Sequence, residues 1–194
     1  EEEIARQYPA ARVILQDIRA FMHPLWRRID ERSYWFVANN LPECFENLFR
    51  TMQERGNRAP SLSLLPNDYP EEKVIEYLAA QAPDAILATH YGSAQVLGTL
   101  RNRGLLPNVR IGWLHTDFFE GYFPRISKRI DCTFLAHAEL ESRWLAAGVP
   151  RDRVVTSGMP VRIAAAEPGG RQIALTRLGL DPDTPTLLLT GGKE

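Results

Sequence analysis

Three short apolar runs, at residues 85–89, 109–115 and 132–137, each end in polar residues. Runs that are apolar on both faces are typical of buried strands in a parallel sheet. In an open parallel sheet, ligands bind outside the carboxyl ends of the strands. The residues that share this predicted edge are therefore the first candidates for chemistry: His90, His115, Asp117 and His137.

Three interpretations of this set stay open. In the first, His115 and Asp117 line a pocket in which a hydroxyl loses its proton as it attacks, a step to which a poised base contributes roughly 10²–10⁴-fold. In the second, all four residues hold a divalent metal through nitrogen and oxygen ligands. In the third, they cap helices and satisfy backbone groups at strand ends. Asp117 is the strongest functional candidate, because it lies between the end of a predicted strand and an aromatic loop.

The elements that must position these residues follow an α/β pattern. Runs rich in β-formers alternate with amphipathic segments, such as the stripe of Val74, Ile75 and Leu78 that Pro83 ends. Strand–helix–strand units of this length predict a Rossmann-like parallel sheet with right-handed crossovers and helices on both faces. The predicted strands cover residues 12–16, 85–89, 109–115, 132–137, 154–156 and 186–190.

An aromatic segment at residues 26–49 precedes this pattern, and Pro42 is expected to divide it into two helices. One interpretation is a helix pair that covers the sheet. The other interpretation is an apolar groove that binds a lipid acceptor near a membrane, with Trp26 and Trp35 as lipid-contacting residues. Arginines beside these rings suit anionic headgroups, since cations and amphipathic rings favour that interface: Arg27, Arg28 and Arg32.

Charge and cysteine content exclude several classes of function. The 194 residues carry a formal net charge of −1, whereas nucleic-acid binding needs a concentrated basic surface. No apolar run approaches the roughly 20 residues that a membrane span needs. The two cysteines, Cys44 and Cys132, are far apart and outside any CxxC pattern, which argues against a disulfide scaffold or a zinc finger and fits a reducing cytosol.

Four stretches together resemble one family of enzymes. In order they read PDAILATHYGSAQVLGTLRNRGLLPNV, HTDF, IDCTFLAHAELESRWLAAGVPRDRVVTSGMPVR and LGLDPDTPTLLLTGG. The series resembles the monogalactosyldiacylglycerol synthases and processive diacylglycerol glucosyltransferases, which are similar to the peptidoglycan lipid-intermediate N-acetylglucosaminyltransferases. The resemblance covers most of the chain and is strongest over residues 83–192.

The resemblance implies a GT-B enzyme in which two Rossmann-like domains face each other across a cleft. The N-terminal domain takes a lipid acceptor at the membrane, and the C-terminal domain takes a sugar nucleotide, expected to be UDP-linked. The sugar is transferred with inversion, and no cofactor or metal is expected. Thr116 and Asp117 match the family's TD motif, Gly158 through Arg162 match its G-x-P-V-R stretch, and Gly191 and Gly192 match the start of its donor-binding glycine loop.

From this we expect Asp117 to orient the attacking hydroxyl or accept its proton, and His115 to hydrogen-bond or assist. The other expected substrate-binding residues are His90, Gly92, Thr116, Phe118, Trp26 and Trp35. The expected setting is the cytoplasmic face of the inner membrane, with peripheral attachment to an anionic surface.

Two departures from the family pattern accompany the match. The family has a histidine shortly after the TD motif, whereas residues 118–124 read FFEGYFP. The family's first strand and histidine-bearing glycine loop have no counterpart here. We therefore expect residues 1–160 to be an incomplete acceptor-side domain and residues 161–194 to be a linker with the first helix and strand of the donor domain. This chain alone is expected to be inactive.

Two other functions fit the same layout. A sugar-nucleotide epimerase shares the two-domain arrangement and would release a free epimerised nucleotide without a lipid acceptor. A non-catalytic lipid-binding module would bind vesicles without transferring sugar.

Overall fold

Helices and short strands alternate along the chain, as the apolar pattern predicts. The computed structural model describes residues 2–55, 71–116, 118, 126, 128–161, 169–181, 183–187 and 189. The helices are α1 (Glu2–Gln7), α2 (Pro24–Asn40), α3 (Pro42–Arg55), α4 (Glu71–Gln81), α5 (Tyr91–Asn102), α6 (Glu141–Ala146) and α7 (Gly170–Arg177). The strands are β1 (Ala85–Ala88), β2 (Arg110–Leu114), β3 (Cys132–Leu135) and β4 (Val154–Thr156). Short 3₁₀ helices lie at Ile18–Phe21, Ala138–Leu140 and Arg151–Arg153.

The four strands form one parallel sheet in the order β1-β2-β3-β4. Ala88 of β1 pairs with Trp113 of β2, and Trp113 pairs with Thr133 of β3. Parallel neighbours need a crossover connection, which α5 supplies between β1 and β2 and α6 supplies between β3 and β4. The predicted Rossmann-like α/β class is confirmed, together with the four central strands.

Two other predicted strands are not seen. The strand predicted at residues 12–16 is wrong, because these residues have no strand structure, no described strand pairs with them, and Leu15 is 74% exposed. At the other end, described positions 186, 187 and 189 carry no strand, and Leu187 and Leu189 are exposed. An apolar run gains strand structure only when a hydrogen-bonding partner and a covering layer are present.

One face of the sheet makes the hydrophobic core. Ile111, Trp113 and Leu135 on this face are almost fully buried, and the helices meet them with Leu100 of α5 and Trp144 of α6. The opposite face is more open, since Leu87 is 51% exposed and Val155 is 42% exposed. A Cβ on Gly112 would lie 3.1 Å from Leu87 Cδ1 and 3.2 Å from Phe134 Cε2, so a larger residue here would require these two side chains to shift by a few tenths of an ångström.

The predicted helix boundaries have the expected chemistry. Pro24 is the first residue of α2, and Pro42 is the first residue of α3. Proline suits this position because the N–H that it lacks would have no partner within the helix, and because its fixed φ is close to the helical value. Gly104 follows α5 with φ +76° and Gly148 follows α6 with φ +84°. Both are left-handed conformations that glycine adopts at helix ends without steric penalty. Because α2 ends at Asn40 and α3 begins at Pro42, the predicted division of the aromatic segment at Pro42 is confirmed.

The chain divides into two compact units. The sheet unit comprises Gln16–Met159 and contains every strand named above. The second unit joins the first 15 residues to the segment from Pro160 onward, and contains α1 and α7. The assignment of acceptor and donor roles to residues 1–160 and 161–194 stays a prediction.

An ion pair ties α5 to the amino edge of the sheet. Asp131 directly precedes β3, and its Oδ2 accepts from Arg101 Nη2 and from the Ile111 N–H, both at 2.7 Å. Arg101 Nη2 also donates to the carbonyl of Val109. The Arg101 side chain is 15% exposed, so this charge is held largely out of water by its partners. The network fixes the start of β2 and β3 relative to α5.

Replacement of Asp131 by alanine should destabilise the sheet unit. Hydrogen bonds to a charged group contribute roughly 1.5–3 kcal/mol, so we expect Asp131→Ala to lower the free energy of unfolding by about 2 kcal/mol in urea titrations followed by circular dichroism. Asp84→Ala is the matched control, because Asp84 directly precedes β1 but is exposed. Equal losses in the two variants would contradict a structural role for the Asp131 network.

Candidate functional site

The carboxyl edge of the sheet gathers three histidines that the sequence analysis singled out. Ala88 and Trp113 are register partners, so His90 and His115 each follow the paired strand ends by two residues. His137 follows β3 on the other side of β2. The backbone placement therefore agrees with the expected common edge, but the three side chains have different environments.

His90 caps α5. Its backbone is extended, and its Nδ1 accepts a hydrogen bond of 3.1 Å from the Gly92 N–H. Its ring lies against that of Tyr91, with 4.6 Å between the ring centroids. A free N–H in the first turn of a helix needs an acceptor, and the imidazole supplies one. Gly92 is buried, and its backbone N–H is satisfied by this hydrogen bond to His90.

His137 and His23 do the same for two other helices. Nδ1 of His137 accepts from the Glu139 N–H at 3.3 Å, at the start of the 3₁₀ helix that follows β3. Nδ1 of His23 accepts from the Leu25 N–H at 3.3 Å, at the start of α2. Three of the four histidines are thus N-caps. The capping interpretation accounts for the observed contacts of His90 and His137.

His115 differs from the expectation of an open pocket residue. It is 2% exposed, and its backbone N–H donates to the Phe134 carbonyl at 2.9 Å. Its ring lies edge-on to Trp113 and to Trp144, with centroid distances of 5.4 and 5.3 Å. His115 directly follows β2 on the core side of the sheet, because it repeats the inward direction of Ile111 and Trp113. Direct contact with a substrate would require this packing to open.

The residues after His115 turn from the interior to the surface. Thr116 is half-buried, and Phe118 is 66% exposed. Asp117, the strongest candidate of the sequence analysis, lies outside the described residues, as do Gly191 and Gly192. Phe118 has the exposure that a substrate contact needs.

A polar cluster at the end of β4 was not anticipated from the sequence. Glu141, the first residue of α6, accepts from Thr156 Oγ1 at 2.6 Å and pairs with Arg151. The hydrogen bonds from Thr156 and Arg151 hold the pKa of Glu141 below its ordinary value. The N–H groups of Ser157 and Gly158 both donate to the Leu135 carbonyl, at 3.0 and 3.2 Å. No local motif announces the cluster, because its members are far apart in the sequence.

Three described rings of the aromatic segment, those of Trp26, Trp35 and Phe36, lie at the surface. Trp26 is 48% exposed and Trp35 is 53% exposed, so neither is a core residue of the sheet unit. Trp35 also lines an open groove of about 720 Å³, together with Arg19, Arg32, Phe36, Asn39 and Asn40. Arg19 is paired with Asp17 at 3.2 Å, so part of the positive charge at this groove is already balanced.

The described residues contain neither a membrane-spanning helix nor a group of metal-ligating side chains. No helix in the described ranges is both long enough and apolar enough to cross a membrane. Within the same ranges, no three His, Cys, Asp or Glu side chains are grouped so that they could hold a metal ion.

Comparison with known proteins gives one consistent family. The family model for monogalactosyldiacylglycerol (MGDG) synthase matches residues 1–161. A probable chloroplastic monogalactosyldiacylglycerol synthase of Glycine max is 30% identical over 124 residues, which are 63% of this chain and 23% of the relative. A processive diacylglycerol beta-glucosyltransferase of Staphylococcus saprophyticus is 27% identical over 183 residues, which are 93% of this chain and 44% of the relative. The chain therefore spans less than half the length of these relatives.

Substitution of His90 separates a capping role from a chemical one. His90→Ala should lower the free energy of unfolding by about 1 kcal/mol, because it removes an N-cap acceptor. His90→Asn should restore most of that stability, since asparagine is among the best N-cap residues. Thermal denaturation of both variants gives the comparison. If the asparagine variant were as destabilised as the alanine variant, the imidazole would have a role beyond the cap.

Proposed function

The chain belongs to the MGDG synthase family, and on that premise we propose that the protein containing it transfers a sugar from a nucleotide donor to diacylglycerol. The observation that carries the proposal is the family match over residues 1–161, which include the whole parallel sheet. The relatives in the comparison are named as MGDG synthase or diacylglycerol glucosyltransferase. The carboxyl edge of such a sheet is where this architecture binds ligands.

The proposed reaction is a single displacement with inversion. The acceptor hydroxyl attacks the anomeric carbon of a UDP-linked sugar, the bond from that carbon to the diphosphate oxygen breaks, and the hydroxyl proton passes to a base. Asp117 is the proposed base or orienting group, since it matches the family's TD motif and comes shortly after β2 in the sequence. The leaving diphosphate takes the electron pair of the broken bond. No cofactor is proposed.

The proposed division of labour follows the two segments of the chain. Residues 1–160 face the acceptor, and residues 161–194 begin the part that binds the donor, with Gly191 and Gly192 near the diphosphate. Phe118 and Thr116 are proposed to contact the acceptor, because Phe118 is exposed and Thr116 lies only half-buried at the same edge. Loss of His90 or Gly92 would act on this edge through the α5 cap.

We also propose that the protein attaches peripherally to the inner face of an anionic membrane. The support is α2, where Trp35 is half exposed and lines a groove together with Arg32, and Arg28 lies one turn before Arg32. Trp26 is also half exposed but lies on the opposite side of this helix, with Arg27 next to it in the sequence. Amphipathic rings and arginines are the side chains that favour a lipid interface. A membrane contact at α2 would bring the enzyme to its lipid acceptor.

The role of Asp117 can be tested in the full-length protein that contains this chain. Transfer of radiolabelled sugar from UDP-glucose or UDP-galactose to diacylglycerol vesicles should fall roughly 10²–10⁴-fold in Asp117→Asn, because a general base is removed. Glu139→Gln is the control, since Glu139 is an exposed carboxylate on the same edge. Circular dichroism checks that both variants are folded.

Three results would contradict the proposal. Unchanged transfer in Asp117→Asn would remove Asp117 from the chemistry. Release of a free epimerised sugar nucleotide without a lipid product would identify an epimerase. Vesicle binding with no transfer from either donor would identify a lipid-binding module.

Membrane attachment can be measured by sedimentation of the protein with vesicles. Binding should be tighter to phosphatidylglycerol vesicles than to phosphatidylcholine vesicles, and added salt should weaken it. Arg28→Gln should weaken binding to the anionic vesicles about fivefold, which corresponds to about 1 kcal/mol per basic residue at the surface. Arg177→Gln removes an exposed arginine from α7 and is the control. Equal binding to both vesicle types would contradict an electrostatic contribution.

A further inference from the structure

We infer that His115 is a positioning residue that fixes the Thr116-Asp117 segment from inside the core. The inference rests on the proposed function, because it concerns how the proposed acceptor residue Asp117 is placed. It differs from a direct chemical role for His115, which the sequence pattern suggested.

Burial and ring packing are the first observation. His115 is 2% exposed and lies between two tryptophans from different elements, Trp113 of β2 and Trp144 of α6. The two tryptophans also contact each other, with 4.8 Å between ring centroids. Each ring of this Trp113–His115–Trp144 cluster therefore touches both others. Edge-to-face pairs of aromatic rings stabilise a fold beyond what their buried area contributes.

The backbone at His115 is the second observation. β2 ends at Leu114, but the His115 N–H still donates to the Phe134 carbonyl of β3 at 2.9 Å. His115 is thus tied to the sheet by its main chain and to α6 by its side chain. Two points of attachment on different elements fix both the position and the direction of the chain at this residue.

The change of environment after His115 is the third observation. Thr116 is half-buried, and Phe118 is 66% exposed, so the chain passes from core to surface within three residues. Thr116 and Asp117 directly follow His115 in the sequence, so a fixed His115 limits the positions that they can take. Misplacement of a reacting group by about 1 Å can cost about 10²-fold in rate. A loosened anchor would therefore reduce turnover without removing a contact to the substrate.

The ring of His115 packs between Trp113 and Trp144. Alanine would leave a cavity between Trp113 and Trp144, and the surrounding structure would relax into it. Phenylalanine is close in shape and can keep both edge-to-face contacts. The positioning role thus predicts that phenylalanine can replace histidine, whereas a proton-transfer role predicts that it cannot.

Steady-state kinetics of the full-length protein test this distinction. At a temperature where all variants are folded, His115→Ala should lower kcat about 10- to 100-fold with little change in KM for diacylglycerol. His115→Phe should recover kcat to within a few-fold of the natural protein. Leu100→Ala is the matched control, since Leu100 is a fully buried core residue of α5 whose loss should reduce stability but leave kcat unchanged.

Amide hydrogen exchange supplies a second readout that needs no transfer activity. Exchange in the peptide spanning residues 113–118 should be faster in His115→Ala than in His115→Phe, and Leu100→Ala should not change it selectively. If Asp117→Asn kept full transfer activity, Asp117 would not be the base. The exchange experiment would still test whether His115 fixes the chain at the end of β2. Wild-type kcat and exchange in His115→Ala would overturn the inference. A phenylalanine variant as slow as the alanine variant would also overturn it, because ring packing would then not account for the role of His115.

Discussion

The sheet unit depends on the packing of Trp144 against Trp113 and His115. This contact joins α6 to the middle of the sheet, and the residues around it, such as Ile111 and Leu135, are fully buried. Apolar burial stabilises a fold by about 25 cal/mol for each Å² removed from water, so large rings at the centre contribute more than any other side chains. The same rings lie directly beneath the carboxyl edge, so the stability of the core and the geometry of the candidate site share their atoms.

Ion pairs and caps complete what the core begins. Asp131 and Arg101 fix the amino edge of the sheet, while Glu141 and Thr156 fix the end of β4 at the other. Three helices begin with a histidine N-cap, whose imidazole accepts a hydrogen bond from a backbone N–H of the first turn. Hydrogen bonds have a preferred geometry, whereas hydrophobic burial has none. These polar contacts therefore fix the relative positions of helices and strands that hydrophobic packing alone would allow to shift.

The fold was more accessible from the sequence than the roles of its histidines. Strands β1 to β4 were predictable because runs such as Ile111–Leu114 are apolar on both faces and are separated by helix-forming segments with clear stops. Residues 12–16 show the same local signal but have no neighbouring strand, and periodicity cannot reveal a missing partner. For His115, the sequence placed the residue at the correct edge but left its inward direction unresolved. Which face a strand-end residue takes depends on the register of the sheet, and a shift of one residue reverses it.

The central claim is that a lipid acceptor binds at the carboxyl edge of this sheet. A diacylglycerol analogue with a photoreactive diazirine, crosslinked to the full-length protein and mapped by mass spectrometry, tests that claim directly. Crosslinks should fall in peptides around residues 89–93, 114–118 and 136–139, and unlabelled diacylglycerol should compete with them. Crosslinks confined to the amino edge, around residues 103–110 and 128–131, or crosslinks that excess diacylglycerol does not reduce, would contradict it.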